Sequence, residues 1–292
     1  MTIKPPKATE PLDRYLEDCR RRGLAPTTIW AKTHVLRKVD KEVGLLGATP
    51  QKLANWLDRE IAMSSKATYL ANLRAFYEWC LDDGAIEKNP ARKVSRMKVP
   101  KHDPAPIDAG ELTHAINMAD PLMKAWLLLG AGAGLRCCEI AALKVEDIHF
   151  DDPPWLHVSA GKGAKERNVP LHHDVALALI KVKWPTKNSG RLWPSHGASS
   201  ISRMVNFHLK KNGSTSTAHK LRAYAATTYW QALNDAGTPD VLLLTDFLGH
   251  ANPATSLIYT RRNQAKGVAA MQHFKIGADR PEPSKDDQPS EG

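Results

Sequence analysis

Two arginines, two histidines, a lysine and a tyrosine stand in settings suited to work on a phosphate. Arg136 follows a glycine-rich turn in GAGAGLRCCEIAAL, where the backbone can bend tightly and present a guanidinium at a helix start. Its fork suits two phosphate oxygens, and pairing with Glu139 on the same short helix is the plainer alternative. His219 and Arg222, three apart in TAHKLRAYAATTYW, face the same way on a helix and could hold one phosphate together. Lys162 lies in GKGAKERNVPL between Gly161 and Gly163, a turn from which a lysine can enter a DNA groove and protonate a leaving group. Lys165 competes for that role, and the P-loop frame is absent. In FLGHANPATSLIYTR, His250 follows a helix stop and Tyr259 comes nine residues later, on the next helix. With a reference pKa near 10, a tyrosine hydroxyl attacks phosphorus only beside positive charge, a base and a well-placed phosphate. Taken singly, each group has a bland alternative: a surface arginine, a solvated turn, an amphipathic core tyrosine.

The elements that must carry these groups are mostly helical. Four helices are expected near residues 13–22, after Pro26-Thr27-Thr28, 51–61 and 65–82, the last burying the stripe Tyr69, Leu70, Leu73, Phe76, Tyr77 and Cys80. After a basic stretch, helices are expected near 110–118, 121–129 and 136–143, with the cluster Gly130, Gly132 and Gly134 interrupting the second. Residues 156–159 and 167–171 form the arms of a β-hairpin with the glycine-lysine segment as its turn. Helices follow near 174–181, 199–210, 220–233 and 239–248, and a further one starts at Pro253. The fold class expected is mainly α with a small β-sheet, a helical N-terminal domain ahead of an α+β domain. The boundaries are a flexible N-terminus over 1–10, a helical domain over 11–90, a basic linker over 91–105, a second domain over 106–274 and a disordered tail over 275–292.

Composition narrows the function classes. The 292 residues suit two modest domains, and 42% hydrophobic with 25% charged residues is ordinary for globular chains. No apolar stretch approaches the roughly 18 residues of a membrane span, and no signal peptide opens the chain, so a cytoplasmic protein is expected. Cys19, Cys80, Cys137 and Cys138 show neither metal-site nor disulfide-framework spacing. The net charge of +10 is spread over both halves: 19 basic against 12 acidic residues up to 99, 19 against 14 over 100–274, and a tail of net −2. Positive charge in both domains and five Lys or Arg in the linker suit a polyanion that both domains contact.

The ordered set Arg136, Lys162, His219, Arg222, His250 and Tyr259 resembles the tyrosine recombinase or phage integrase family. The phrases GLRxxE, GKGxKxRxVPL, HxLR and LGH and the His-to-Tyr spacing carry the resemblance over most of residues 106–274. The stretch TYLANLRAFYEWCLDDGAIEKNP extends it to the core-binding domain that precedes the catalytic domain. The resemblance implies that Arg136 and Arg222 clamp the scissile phosphate, Tyr259 is the nucleophile and Lys162 the general acid toward the leaving 5′ oxygen. His219 and His250 would assist proton transfer and hydrogen-bond the phosphate, and Glu139 would support the first arginine. It further implies a 3′-phosphotyrosyl intermediate formed with no metal or cofactor and four protomers on two double-stranded recombination sites. GVAAMQHFKI would pack onto a neighbouring protomer, and DNA-bending helper proteins could take part. Ala223 stands where many relatives have histidine, and the Cys137–Cys138 pair replaces commonly small residues. No arm-type domain is evident before residue 11, which points to a short Xer-like recombinase or simple integrase. The alternatives are a DNA-binding architectural or regulatory protein that does not cut and, further off, a type IB topoisomerase-like enzyme.

Overall fold

The computed structural model describes residues 10–99, 105–159, 166–185 and 190–260. The chain divides into two compact units, Met1–His102 and Asp103–Gly292. Unit 1 holds α1 (Pro11–Arg21), α2 (Pro26–Val43), α3 (Pro50–Leu57) and α4 (Met63–Asp82). Proline opens α1, α2 and α3 within the first two positions, where its missing N–H costs nothing. Leu16, Leu36, Val39, Leu53, Leu57, Leu73, Phe76 and Tyr77 close one core. The expected third helix stops short, at Leu57 instead of residue 61, where Arg59 turns back to donate to the Trp56 carbonyl at 2.7 Å.

The basic stretch after residue 90 begins as part of unit 1. Residues Pro90–Lys93 form a 3-10 turn, and Ala91 and Val94 are buried in the unit 1 core. Arg74 donates from Nε to the Ala91 carbonyl at 3.1 Å and from Nη2 to that of Val94.

Unit 2 is built around α6 (Pro121–Ala131), whose Trp126, Leu127 and Leu129 are fully buried. Asp120 caps it, accepting from the Met123 N–H at 2.8 Å. The glycine cluster does not break this helix at Gly130. Gly130 stays helical, and the side chain of Leu221 packs against it so closely that a Cβ there would lie 3.1 Å from Leu221. Packed around α6 are α5 (Ala109–Asn117), α7 (Cys137–Ala142), α8 (His173–Lys181), α9 (Ala198–Lys211) and α10 (Ala218–Asp235), with α11 (Val241–Leu248) against α10.

The hairpin is present as β2 (Trp155–Val158) and β3 (Arg167–Pro170). A two-residue strand, β1 (Ile148–His149), adds to it, giving an antiparallel three-stranded sheet in the order β1-β2-β3. Ile148 pairs with Leu156, Leu156 with Val169, and Val158 with Arg167. The face carrying Leu156, Val158, Val169 and Arg167 is buried. No α-helix begins at Pro253. Two 3-10 turns, Pro253–Thr255 and Leu257–Tyr259, follow α11 instead. Among the described residues no helix is long and apolar enough to cross a membrane.

Candidate active site

A buried carboxylate organises the site. Glu139, on the first turn of α7, is 8% exposed and meets three guanidinium groups. Arg136, the N-cap of that helix, offers its backbone N–H to Oε2 at 2.8 Å and its Nη1 to Oε1 at 2.9 Å. Arg167 reaches from β3 to make the parallel two-pronged contact, at 3.0 and 3.1 Å, and also donates from Nε to the Phe247 carbonyl at 3.0 Å. Arg222, from the second turn of α10, stands 3.8 Å from the same carboxylate. Burial alone would raise the Glu139 pKa, but the hydrogen bonds and charge of Arg167, the Arg136 N–H and the charge of Arg222 hold it below the usual carboxylate range.

The two expected arginine clamps differ in accessibility. Arg222 is 3% exposed and is held by the carbonyls of Gly134 and Leu248, which accept from Nη1 and Nη2. Burial, then repulsion from Arg136, pushes its pKa down to about 10, so it stays charged at neutral pH. The Arg136 side chain is 36% exposed. Its pairing with Glu139 therefore fixes one edge of the guanidinium and leaves the rest open, so that the structural and functional roles coexist.

Glycines make this packing possible. Gly134 has a φ of +66°, and a Cβ there would lie 3.1 Å from the Phe247 ring. Gly249 ends α11 with a φ of +61°, and a Cβ there would lie 2.6 Å from Nη1 of Arg167. In the LGH phrase the glycine thus turns the chain and also clears room for Arg167.

His250 and Tyr259 lie beside this cluster with their rings nearly parallel, 6.4 Å between centroids and 16° between planes. Both are 8% exposed. The Nδ1 of His250 is 2.8 Å from the hydroxyl of Ser256, which is itself 2.9 Å from the hydroxyl of Thr245. Burial and then the charges of Arg222, Arg136 and Arg167 push the His250 pKa down to about 4, so the ring is neutral at physiological pH. Burial raises the pKa of Tyr259, and Arg222 and Arg136 oppose the rise. The tyrosine stands on a 3-10 turn, whose N–H hydrogen bond to the Ser256 carbonyl spans 3.0 Å.

His219 lies on the first turn of α10, exposed, one turn before the buried Arg222. Lys162, together with Lys165, falls outside the described residues. Arg167, Ser256 and Thr245 were not among the residues singled out by sequence. For Arg167 a signal existed: it shares strand parity with the apolar Val169, so it must face the core, where an arginine needs a carboxylate.

Three guanidinium groups and one carboxylate leave a charge of +2 beside a tyrosine hydroxyl. Such a fixed cationic pocket suits a phosphodiester, and more so the extra negative charge that builds when an oxygen attacks its phosphorus. Among the described residues no cluster of His, Cys, Asp and Glu could hold a metal ion.

The model of the phage integrase family matches residues 108–266. Tyrosine recombinase XerC of Vibrio vulnificus is 31% identical, the match covering 89% of this chain and 89% of the relative. Tyrosine recombinase XerA of Pyrococcus horikoshii is 32% identical over 64% of this chain and 67% of its own. Among solved structures, a lambda integrase dimer bound to a COC′ core site has a TM-score of 0.70 at 19% identity, covering 94% of this chain and 98% of that one. The Tn1549 transposon integrase in complex with transposon right end DNA has a TM-score of 0.69 at 17% identity, covering 90% and 98%.

Proposed function

The chain belongs to the phage integrase family, and from that premise we propose that it is a tyrosine site-specific recombinase, with Tyr259 attacking a DNA phosphate held by Arg136 and Arg222. The observation that carries this is the assembly of Arg136, Arg222, His250 and Tyr259 around the single carboxylate of Glu139. In this mechanism the phenol gives up its proton, a transfer that His219 and His250 assist, its oxygen forms a bond to phosphorus, and the 5′ oxygen leaves, taking a proton from Lys162. The 3′-phosphotyrosyl link conserves the bond energy, and a 5′-hydroxyl from the partner duplex then attacks it and releases the tyrosine. No net oxidation or hydrolysis occurs, so cleavage and rejoining need no high-energy cofactor.

The two arginines hold the phosphate and balance its growing charge, and Glu139 orients Arg136. His219, exposed one turn from Arg222, assists at the phosphate. The DNA-bound states of the lambda and Tn1549 integrases support double-stranded recombination sites as the substrate. Four protomers on two duplexes are the working assembly, joined where needed by proteins that bend DNA. Integration or excision of an element and resolution of replicons are the processes that such exchange serves.

The test incubates nicked duplexes from the source replicon with the wild-type chain and with Tyr259→Phe, and scores SDS-resistant protein–DNA adducts. An adduct is expected with the wild type alone, while both proteins bind DNA with similar affinity. A stable adduct in the variant would remove Tyr259 as nucleophile. Salt-sensitive binding with no adduct from either protein would favour a DNA-binding protein that does not cut.

A further inference from the structure

His250, Ser256 and Thr245 form a closed line of close contacts that ends on a backbone carbonyl. The Thr245 hydroxyl is 2.7 Å from the Val241 carbonyl and 2.9 Å from the Ser256 hydroxyl, which is 2.8 Å from Nδ1 of His250. Ser256 is 0% exposed, so each of these three contacts requires its own proton. The carbonyl brings none, and the two hydroxyls bring one each. The third can come only from the imidazole. Thr245 therefore donates to Val241, Ser256 donates to Thr245, and His250 donates from Nδ1 to Ser256. Any other arrangement leaves one of these three contacts, of 2.7–2.9 Å, with no proton between its atoms.

From this count we propose that Ser256 and Thr245 are positioning residues that hold His250 in the tautomer protonated on Nδ1, leaving Nε2 as a proton acceptor. The groups facing the ring agree with a neutral imidazole: Arg222, Arg136 and Arg167 repel a second proton, outweighing the attraction of Glu139. The same serine joins the histidine to the tyrosine through the backbone. Its carbonyl accepts the Tyr259 N–H at 3.0 Å, and the His250 N–H bonds to the Thr245 carbonyl at 3.1 Å. Before cleavage His250 is thus equipped to take a proton. It can donate to a phosphate oxygen only after taking one. The functional part of this inference rests on the recombinase assignment, whereas the tautomer itself does not.

The test reads the imidazole nitrogens of 15N-labelled protein by long-range 1H–15N correlation, with His250→Gln to assign the His250 signals. The wild type is expected to show a protonated Nδ1 and a bare Nε2. Thr245→Val removes the oxygen that accepts from Ser256 while keeping the side-chain shape, so the serine proton turns to Nδ1 and the ring should switch to the Nε2–H form. A merely structural role for Thr245 would leave the tautomer unmoved. On nicked duplexes, Thr245→Val and Ser256→Ala should both slow adduct formation, by about tenfold to a hundredfold, with DNA affinity retained. An Nε2–H ring in the wild type, or a Thr245→Val protein with an unchanged ring and unchanged cleavage rate, would overturn the proposal. Failure of the wild type to form any adduct would instead refute the recombinase assignment, and the nitrogen spectra would still decide the tautomer.

Discussion

The most consequential residue is Glu139, because its one carboxylate neutralises part of a charge that would otherwise be three buried or half-buried guanidiniums. Breaking a buried ion pair from one side leaves the partner charge uncompensated, at a cost of about 3–5 kcal/mol. Glu139→Gln should therefore lower the urea midpoint strongly and also reduce cleavage, since Arg136 loses the contact that orients it. A urea midpoint unchanged from wild type would show that the arginines are satisfied elsewhere. His250 supplies a second test, with a sign that follows from its depressed pKa. The folded protein holds His250 at about 4, below the roughly 6.5 of an unfolded chain, so between these values the unfolded state binds more protons. The stability linked to His250 is present above pH 6.5 and is lost as the pH falls toward 4. Urea titrations of the wild type and His250→Gln should show the wild type losing ground to the variant over that window, and parallel curves would argue against a buried neutral histidine.

At the scale of elements, the end of α11 decides how closely the site can pack. Gly249 turns the chain with a positive φ and lies against Arg167, so Gly249→Ala meets both backbone strain and a steric clash. Gly237 makes a natural control, with a φ of +73° and nothing within 4 Å of its would-be Cβ. Gly237→Ala should cost about 1 kcal/mol, the penalty of the left-handed backbone alone. Gly249→Ala should cost more and lower the rate of adduct formation as well. Equal thermal shifts and equal rates would mean that Arg167 yields without consequence. The same elements show why some expectations needed the structure. Glycines at 130, 132 and 134 look like a break from residue 130, yet α6 continues through Gly130 to Ala131, and the missing Cβ at Gly130 leaves room for Leu221. The segment from Pro253 has the composition of a helix start, but the chain forms two 3-10 turns that bury Tyr259 near His250.

For the whole molecule, the net charge of +10 is shared between the residues of both units, and this predicts binding to DNA that weakens with salt. The logarithm of the binding constant should fall linearly with the logarithm of salt concentration, by about 0.9 for each phosphate neutralised. A slope near zero would exclude a phosphate-tracking interface. The mainly helical fold with one small sheet was legible from helix periodicity, proline starts and one hairpin signal, since these depend on local spacing. Arg136, Arg222, His250 and Tyr259 could be singled out as candidates too, because residue type and order survive in sequence when distance does not. What the amino-acid order by itself determined was therefore which groups could work on a phosphate and most of the elements around them, the turn that carries Tyr259 excepted. The tertiary structure alone decided that Glu139 serves three arginines at once and that Ser256 and Thr245 line up with Nδ1 of His250. Those contacts join residues as far apart in the chain as Glu139 and Arg222. Hydroxyls and carboxylates act over about 3 Å, a length that spacing along a chain does not record until it folds.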